Sequence, residues 1–262
     1  MKRFVLSLIL VACAKPAPIA APVVVDQPIA QAKPARPARE EIIETLLASE
    51  KALLEDGDVD AHLAAWAPDS IIVRARAKEP GPYDVKVPVE RLRPTLKMIV
   101  ARETRRKVEV DKIEVEVKGD DATLTWRSAS SEKATDVFRE AFVLRHGHEG
   151  WRVVEKRYWP TAREEESGER HRFTKSSFDE MDRHVEVMRN SSDQRSLLYA
   201  LFGGYRFEEA LTLARKLSTQ PDQTDKWLWE MLALSALMVG DADEAAAAYA
   251  RAAEAAPAPS SP

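Results

Sequence analysis

Apolar side chains recur at helical spacing once the proline-rich start of the chain has passed. Ile43, Leu46, Leu47, Leu53 and Leu54 form one stripe beginning near Arg39, and Gly57 stands where a left-handed residue ends a helix. A second short helix is predicted to carry His62, Leu63 and Trp66 and to stop at Pro68, with His62 exposed or capped. Ile71, Ile72 and Val73 read as a strand, followed by a loop containing Pro80, Gly81, Pro82 and Pro88. A third helix carries Leu92, Leu96, Ile99 and Val100, with Pro94 in its first turn or at a bend. From Val108 the period falls to two: Val108, Val110, Ile113, Val115 and Val117 alternate with acidic residues, with a slip near Lys112. Gly119, Asp120 and Asp121 predict a hairpin turn into residues 122–128. A second hairpin joins residues 137–145 to 151–159 through His146, Gly147, His148, Glu149 and Gly150. Three helices with one inserted strand, then a four-stranded antiparallel meander, make an α+β domain over residues 39–160.

Residues 161–176 are almost free of apolar side chains and read as a charged, solvated connector. Ser177 with Glu180 predicts a capping box, and Phe178, Met181, Val185 and Met188 then make one helical stripe. Over residues 177–257 the pattern repeats: Glu209-Ala210 recurs as Glu244-Ala245 at an offset of about 35 residues, the period of a helical-hairpin array. Large residues alternate with small ones in each unit, so that two helices can approach closely and fill the groove beside them. Residues 258–262 are predicted to be a disordered tail.

The N-terminus follows a different logic. Lys2 and Arg3 precede an apolar run from Phe4 to Ala12, which is the layout of an export signal and far shorter than the roughly 20 residues of a spanning helix. Cys13 follows directly. Six of the 16 prolines then fall in residues 14–38 with no period of either kind, so this segment reads as an extended tether reaching at most about 80 Å at ~3.1 Å per residue.

Composition narrows the function. With 45% hydrophobic and 31% charged residues, the 262-residue chain can bury a core. A formal charge of −4 and the lack of a basic stripe argue against nucleic acid as a partner. A single Cys excludes an intrachain disulfide, a cysteine zinc cluster and a redox CxxC pair. The chain contains no GxSxG, phosphate-binding glycine loop, HExxH or EF-hand pattern, and no cofactor is expected. His146, His148 and Glu149 could face one ion, but a zinc site needs a ligand from another element, and a polar turn is the simpler reading.

Three stretches resemble known families. Leu10-Val11-Ala12-Cys13 resembles the lipobox of bacterial lipoproteins, which implies cleavage of residues 1–12 and lipid modification of Cys13 with acyl chains such as palmitate. Ala14 after the Cys then favours the outer membrane, facing the periplasm. The run from Asp58 to Val73, with Gly150-Trp151-Arg152-Val153-Val154, resembles the NTF2-like superfamily, particularly its SnoaL-like and DUF4440-like members. That likeness implies a curved antiparallel sheet wrapped on three helices into a cone, a fold that hosts isomerases, dehydratases, ligand binders and inert adaptors alike. Trp229, Leu232, Ala233, Gly240, Ala245, Tyr249, Ala252 and Pro257 are similar to the signature positions of a tetratricopeptide repeat, which implies protein partners.

Candidate cavity residues follow from the cone. Strict alternation puts Trp151, Val153, Glu155, Arg157 and Trp159 on one face of the last strand, and Glu140 and Phe142 share a face on the strand before it. With Trp66 and Trp126 these make the candidate cavity Trp66, Trp126, Glu140, Phe142, Trp151, Glu155 and Arg157. A carboxylate inside an apolar cone would have a raised pKa and could act as a general base. Alternatively, Glu140, Glu155, Arg127 and Arg157 pair with one another on a solvated sheet face. The sequence favours a membrane-anchored protein-binding adaptor without catalytic residues, with a small-molecule binder or isomerase-like or dehydratase-like enzyme as the alternative.

Overall fold

The structure, a computed structural model, describes residues 37–102, 107–129, 135–164, 170–220 and 225–255. Cys13, the tether up to residue 36, Pro257 and the last residues lie outside that set, while Pro37 and Ala38, expected in the tether, stand at the start of the first helix. No described helix is long and apolar enough to cross a membrane.

The described chain opens with α1 (Ala38–Lys51), which runs on through one π-helical turn, Ala52–Asp56. Gly57 ends it at φ 73°, as its position predicted. Asp58 then caps α2 (Val59–Leu63) by accepting from Ala61 N at 2.9 Å. This helix is shorter than the sequence suggested. Trp66 is not on it but begins β1 (Trp66–Arg74), and Pro68 lies inside that strand before the regular pairing starts at Ile71. The loop expected next contains a further strand, β2 (Val85–Pro88), whose end proline had masked it. The third helix, α3 (Val89–Arg102), carries Pro94 as its sixth residue, past the first turn, so it forgoes the bond that an N–H there would make to the Glu90 carbonyl.

The sheet is completed by β3 (Val110–Lys118), β4 (Asp121–Ala129), β5 (Thr135–Gly147), β6 (Gly150–Glu164) and β7 (Arg170–Arg172). Strand order is β2-β1-β6-β5-β4-β3, with β7 added to β6. It is a mixed sheet, not a purely antiparallel one, because β1 runs parallel to β6. Residues 161–176 are correspondingly not a plain connector: they contain the end of β6, all of β7 and the start of the next helix. The slip at Lys112 is a bulge, with Lys112 at φ 52° and the β3–β4 register shifting between Asp111 and Glu114. Ile42 and Leu46 of α1, Leu92 of α3 and Leu124, Phe142, Leu144 and Val153 of the sheet pack into one core on the concave side. A mixed α/β domain thus fills the first part of the described chain.

Five helices follow: α4 (Lys175–Arg189), α5 (Gln194–Gly203), α6 (Phe207–Ser218), α7 (Lys226–Met238) and α8 (Ala242–Glu254). The capping box of α4 is formed by Thr174 and Ser177, three residues earlier than the Ser177–Glu180 pair read from sequence. The fully buried Ala210, Ala214, Ala233, Ala236 and Ala245 let α5–α8 pack closely as two successive hairpins, with Leu198, Leu211 and Leu232 filling the spaces between. Among the positions of the repeat signature, Leu232, Ala233, Gly240, Ala245 and Ala252 are buried, and Trp229 and Tyr249 are half-buried against the same core.

The two parts share an interface. Arg76, just past β1, donates from Nη1 and Nη2 to Asp182 of α4 at 2.7 and 2.8 Å and from Nε to the Gly204 carbonyl at 2.7 Å. Its guanidinium also lies 4.1 Å from the centre of the Tyr83 ring, and Arg206 lies over the same ring at 4.8 Å. The hydrogen bonds from Arg76 hold the Asp182 carboxyl below its ordinary value of 3.8. A carboxyl depressed on folding adds stability above its unfolded value and loses it as pH falls. Asp182→Asn is therefore expected to cost about 1 kcal/mol at pH 7, and urea titrations should show the gap to wild type closing below about pH 4.

Candidate functional site

The concave side of the sheet holds the ionisable groups that matter most. On β6 the register shifts between Val153 and Glu155: Leu144 faces Val153, Val143 faces Glu155, and Phe142 faces Lys156. Val154 is the extra residue of a β-bulge, and from that point the strand's faces are exchanged. Trp151, Val153, Lys156 and Tyr158 therefore point inward. Glu155 and Arg157, expected in the cavity, point to the convex side, where Arg157 Nη1 lies 2.8 Å from Asp84 Oδ2. Lys156 takes the inward position.

Around that ammonium the fold gathers side chains from four elements. Lys156 Nζ donates to Glu50 Oε1 of α1 at 2.7 Å and lies 3.2 Å from Glu140 Oε2 of β5. Trp126 Nε1 of β4 donates to Glu140 Oε2 at 2.7 Å, and Ser128 Oγ donates to Glu140 Oε1 at 2.8 Å. The Phe142 ring centre is 5.0 Å from Lys156 Nζ. Burial alone would strip the proton from this lysine, but the Glu140 and Glu50 carboxylates outweigh that cost and hold its pKa above the usual lysine range. The ammonium persists at any physiological pH.

His62 completes the group. It was expected to be exposed or capped at the surface, yet it is 2% exposed. Its Nδ1 donates to the Ser49 carbonyl at 3.0 Å, while Ser49 Oγ donates to the His62 carbonyl at 3.0 Å, which ties α2 to α1. A carbonyl can only accept, so the neutral ring carries its proton on Nδ1. Burial lowers its pKa, with Glu50 pulling in the opposite direction. A histidine depressed on folding supports the native state above its unfolded value and opposes it as pH falls. Wild-type stability is expected to drop as pH goes from 6.5 toward 5, and His62→Gln should remove that part of the slope in pH-dependent urea unfolding.

The expected cavity residues divide accordingly. Trp66, Trp126, Glu140, Phe142 and Trp151 are brought to the concave interior, and Glu155 and Arg157 are not. The interior is filled: Trp126, Phe142, Leu124 and Leu144 are essentially without solvent contact, and the Trp126 and Phe142 rings pack edge to face with centres 4.9 Å apart. An open cleft lies elsewhere, lined by Asp56, Asp58, Asp60, Lys97, Val100 and Ala101 on the α2–α3 surface, where Asp60 is paired with Arg93. His146 and His148 are exposed in their hairpin turn, His146 with its ring centre 5.1 Å from that of Trp151. Among the described residues no three His, Cys, Asp or Glu side chains converge as metal ligands.

Sequence reading missed Lys156, Glu50 and Ser49. Glu50 and Ser49 carried a faint signal, being polar positions that fall on the apolar stripe of α1, whereas Lys156 carried none until the bulge was known.

No protein-family model and no curated protein matches this chain. Among solved structures, it is similar to an NTF2-like protein of unknown function from Pseudomonas putida at TM-score 0.41 and 19% identity, over 53% of this chain and 96% of that one. NTF2-like proteins from Shewanella baltica (TM-score 0.37, 14% identity, 47% and 93% covered) and Cytophaga hutchinsonii (TM-score 0.38, 13% identity, 47% and 97% covered) are similar to the same extent. At scores of this size the likeness assigns neither a family nor an activity.

Proposed function

We propose that this protein is an adaptor of the bacterial cell envelope, anchored by a lipidated Cys13, with an NTF2-like domain as a rigid base and a TPR-like helical tail that engages a protein partner. The observation that favours an adaptor over a catalyst is the state of Glu140. Both of its oxygens accept hydrogen bonds, from Ser128 and Trp126, and a lysine ammonium neutralises it, so it is poorly placed to take a proton from a substrate. The tail, by contrast, leaves Tyr199 at 66% and Val187 at 61% exposure, large apolar side chains open to a partner. Cross-linking in intact membranes tests the reading. A specific partner should be captured by wild type and lost with Val187→Arg/Tyr199→Arg, and Cys13→Ala should move the protein out of the membrane fraction. No specific partner, together with turnover of a small molecule that depends on Glu140, would sink it.

A second reading rests on a different observation. Glu50, Glu140, Lys156 and His62 sit inside one concave sheet, where a small polar ligand could exchange partners with them as in a binding protein or a dehydratase-like enzyme.

A further inference from the structure

The tail docks at the β1–β2 end of the concave face. Arg74 lies on the inward side of β1, two residues beyond Ile72, and pairs across the sheet with Tyr158. Its Nε donates to the Tyr158 hydroxyl, and its Nη1 donates to the carbonyls of Leu237, at 3.2 Å, and Met238. Those carbonyls belong to the last turn of α7, the negative end of the helix, where a guanidinium is favoured. Tyr158 is the next inward residue after Lys156 on β6, about 7 Å further along the strand. One chain of hydrogen bonds thus leads from the end of α7 through Arg74 to Tyr158, two residues along β6 from Lys156. Beside it, Phe207 joins the sheet domain's core, with Met238 and Val239 packed against it, and the Arg76–Asp182 pair closes the rim.

The polar part of this interface is made of arginine donors set against carbonyls and one carboxylate, groups that water can satisfy on release, whereas Leu124, Phe142 and Leu144 of β4 and β5 are packed away from solvent. We propose that the helical tail is a lid over the Glu50–Lys156–Glu140 interior, latched by Arg74 and Arg76–Asp182, and that lifting it opens the interior while the sheet stays folded. This device is independent of the adaptor reading: it predicts what a partner that draws the tail away would uncover.

The test uses the full chain carrying Arg74→Met, Arg76→Met and Asp182→Asn together. Residue-resolved hydrogen exchange and acetylation with acetic anhydride, read by mass spectrometry, follow the α7–α8 turn, Lys156, and the amides of Leu124, Phe142 and Leu144 in parallel. The expected result is about a tenfold rise in exchange at the turn and in acetylation at Lys156, with the three core amides protected as in wild type. The lid is overturned if Lys156 gains reactivity only in step with those core amides, if it stays protected after the turn is released, or if the turn stays docked. Should the triple variant not fold, Asp182→Asn alone is judged by the same three criteria.

Discussion

Replacing Lys156 with methionine is expected to cost about 3–5 kcal/mol, the largest effect of any single substitution considered for this fold. The reason is asymmetry. In the native protein one ammonium faces two carboxylates, Glu50 at 2.7 Å and Glu140 at 3.2 Å, and all three side chains are at most 13% exposed. Methionine keeps most of the aliphatic stem and the packing against Phe142, so the loss is mainly electrostatic: two buried carboxylates lose the ammonium they share. Removing all three charges is a different experiment. Glu50→Gln/Glu140→Gln/Lys156→Met leaves Trp126 an amide oxygen to donate to and Ser128 an amide N–H to accept from, and creates no orphaned charge, and buried ion clusters exchanged for neutral groups are often neutral or stabilising. Urea unfolding at pH 7 should therefore rank the triple variant well above Lys156→Met. The opposite order would mean that the cluster stabilises the fold outright. Wild type carries a matching alkaline signature. The Lys156 pKa is raised on folding, so its contribution is whole below the ordinary lysine value of 10.5 and is lost only as pH climbs past it.

That cluster also marks where the sequence stops being legible. The alternation of Val110, Ile113 and Val115 could be followed in β3 because its one irregularity, at Lys112, fell among acidic residues and left a visible slip. In β6 the same kind of bulge falls at Val154, where Val153-Val154-Glu155 shows no break in the pattern, and counting by two carries Glu155 and Arg157 to the wrong face. The error is invisible in one strand, because a bulge is defined only against its partner, here Val143 and Leu144. Helices with their own stop signals were easier: Gly57 ends the first, and the Ala-rich spacing of residues 207–254 led to close-packed hairpins. His62 was misplaced because α2 is only five residues long, too short for periodicity to say which side faces inward. The docking of the tail left no trace in local pattern at all, since Arg74, Arg76 and Tyr83 meet Leu237, Asp182 and Arg206 only through the tertiary fold.

Gly240 turns that docking into a measurable quantity. It sits in the α7–α8 turn at φ 76°, and a Cβ built on it falls inside the envelope of Val87 Cγ1 on β2. Gly119, in the β3–β4 hairpin, has a similar φ of 60° and open space around it. Alanine at either site bears the cost of a left-handed backbone, about 1 kcal/mol. Only Gly240→Ala adds a steric conflict with the sheet domain, raising its expected cost to roughly 2–4 kcal/mol because neither the turn nor the fully buried Val87 can withdraw easily. Val87→Ala removes the methyl group in the way, so Val87→Ala/Gly240→Ala should be more stable than the sum of the two single losses predicts. A double-mutant cycle by urea unfolding reads that coupling directly. Additive losses would place the turn away from β2 and remove the apolar half of the tail's hold on the sheet. A clear coupling, with Gly119→Ala as the backbone reference, would establish that the α7–α8 turn rests on Val87 in solution, next to the Arg74 contact that closes over the interior.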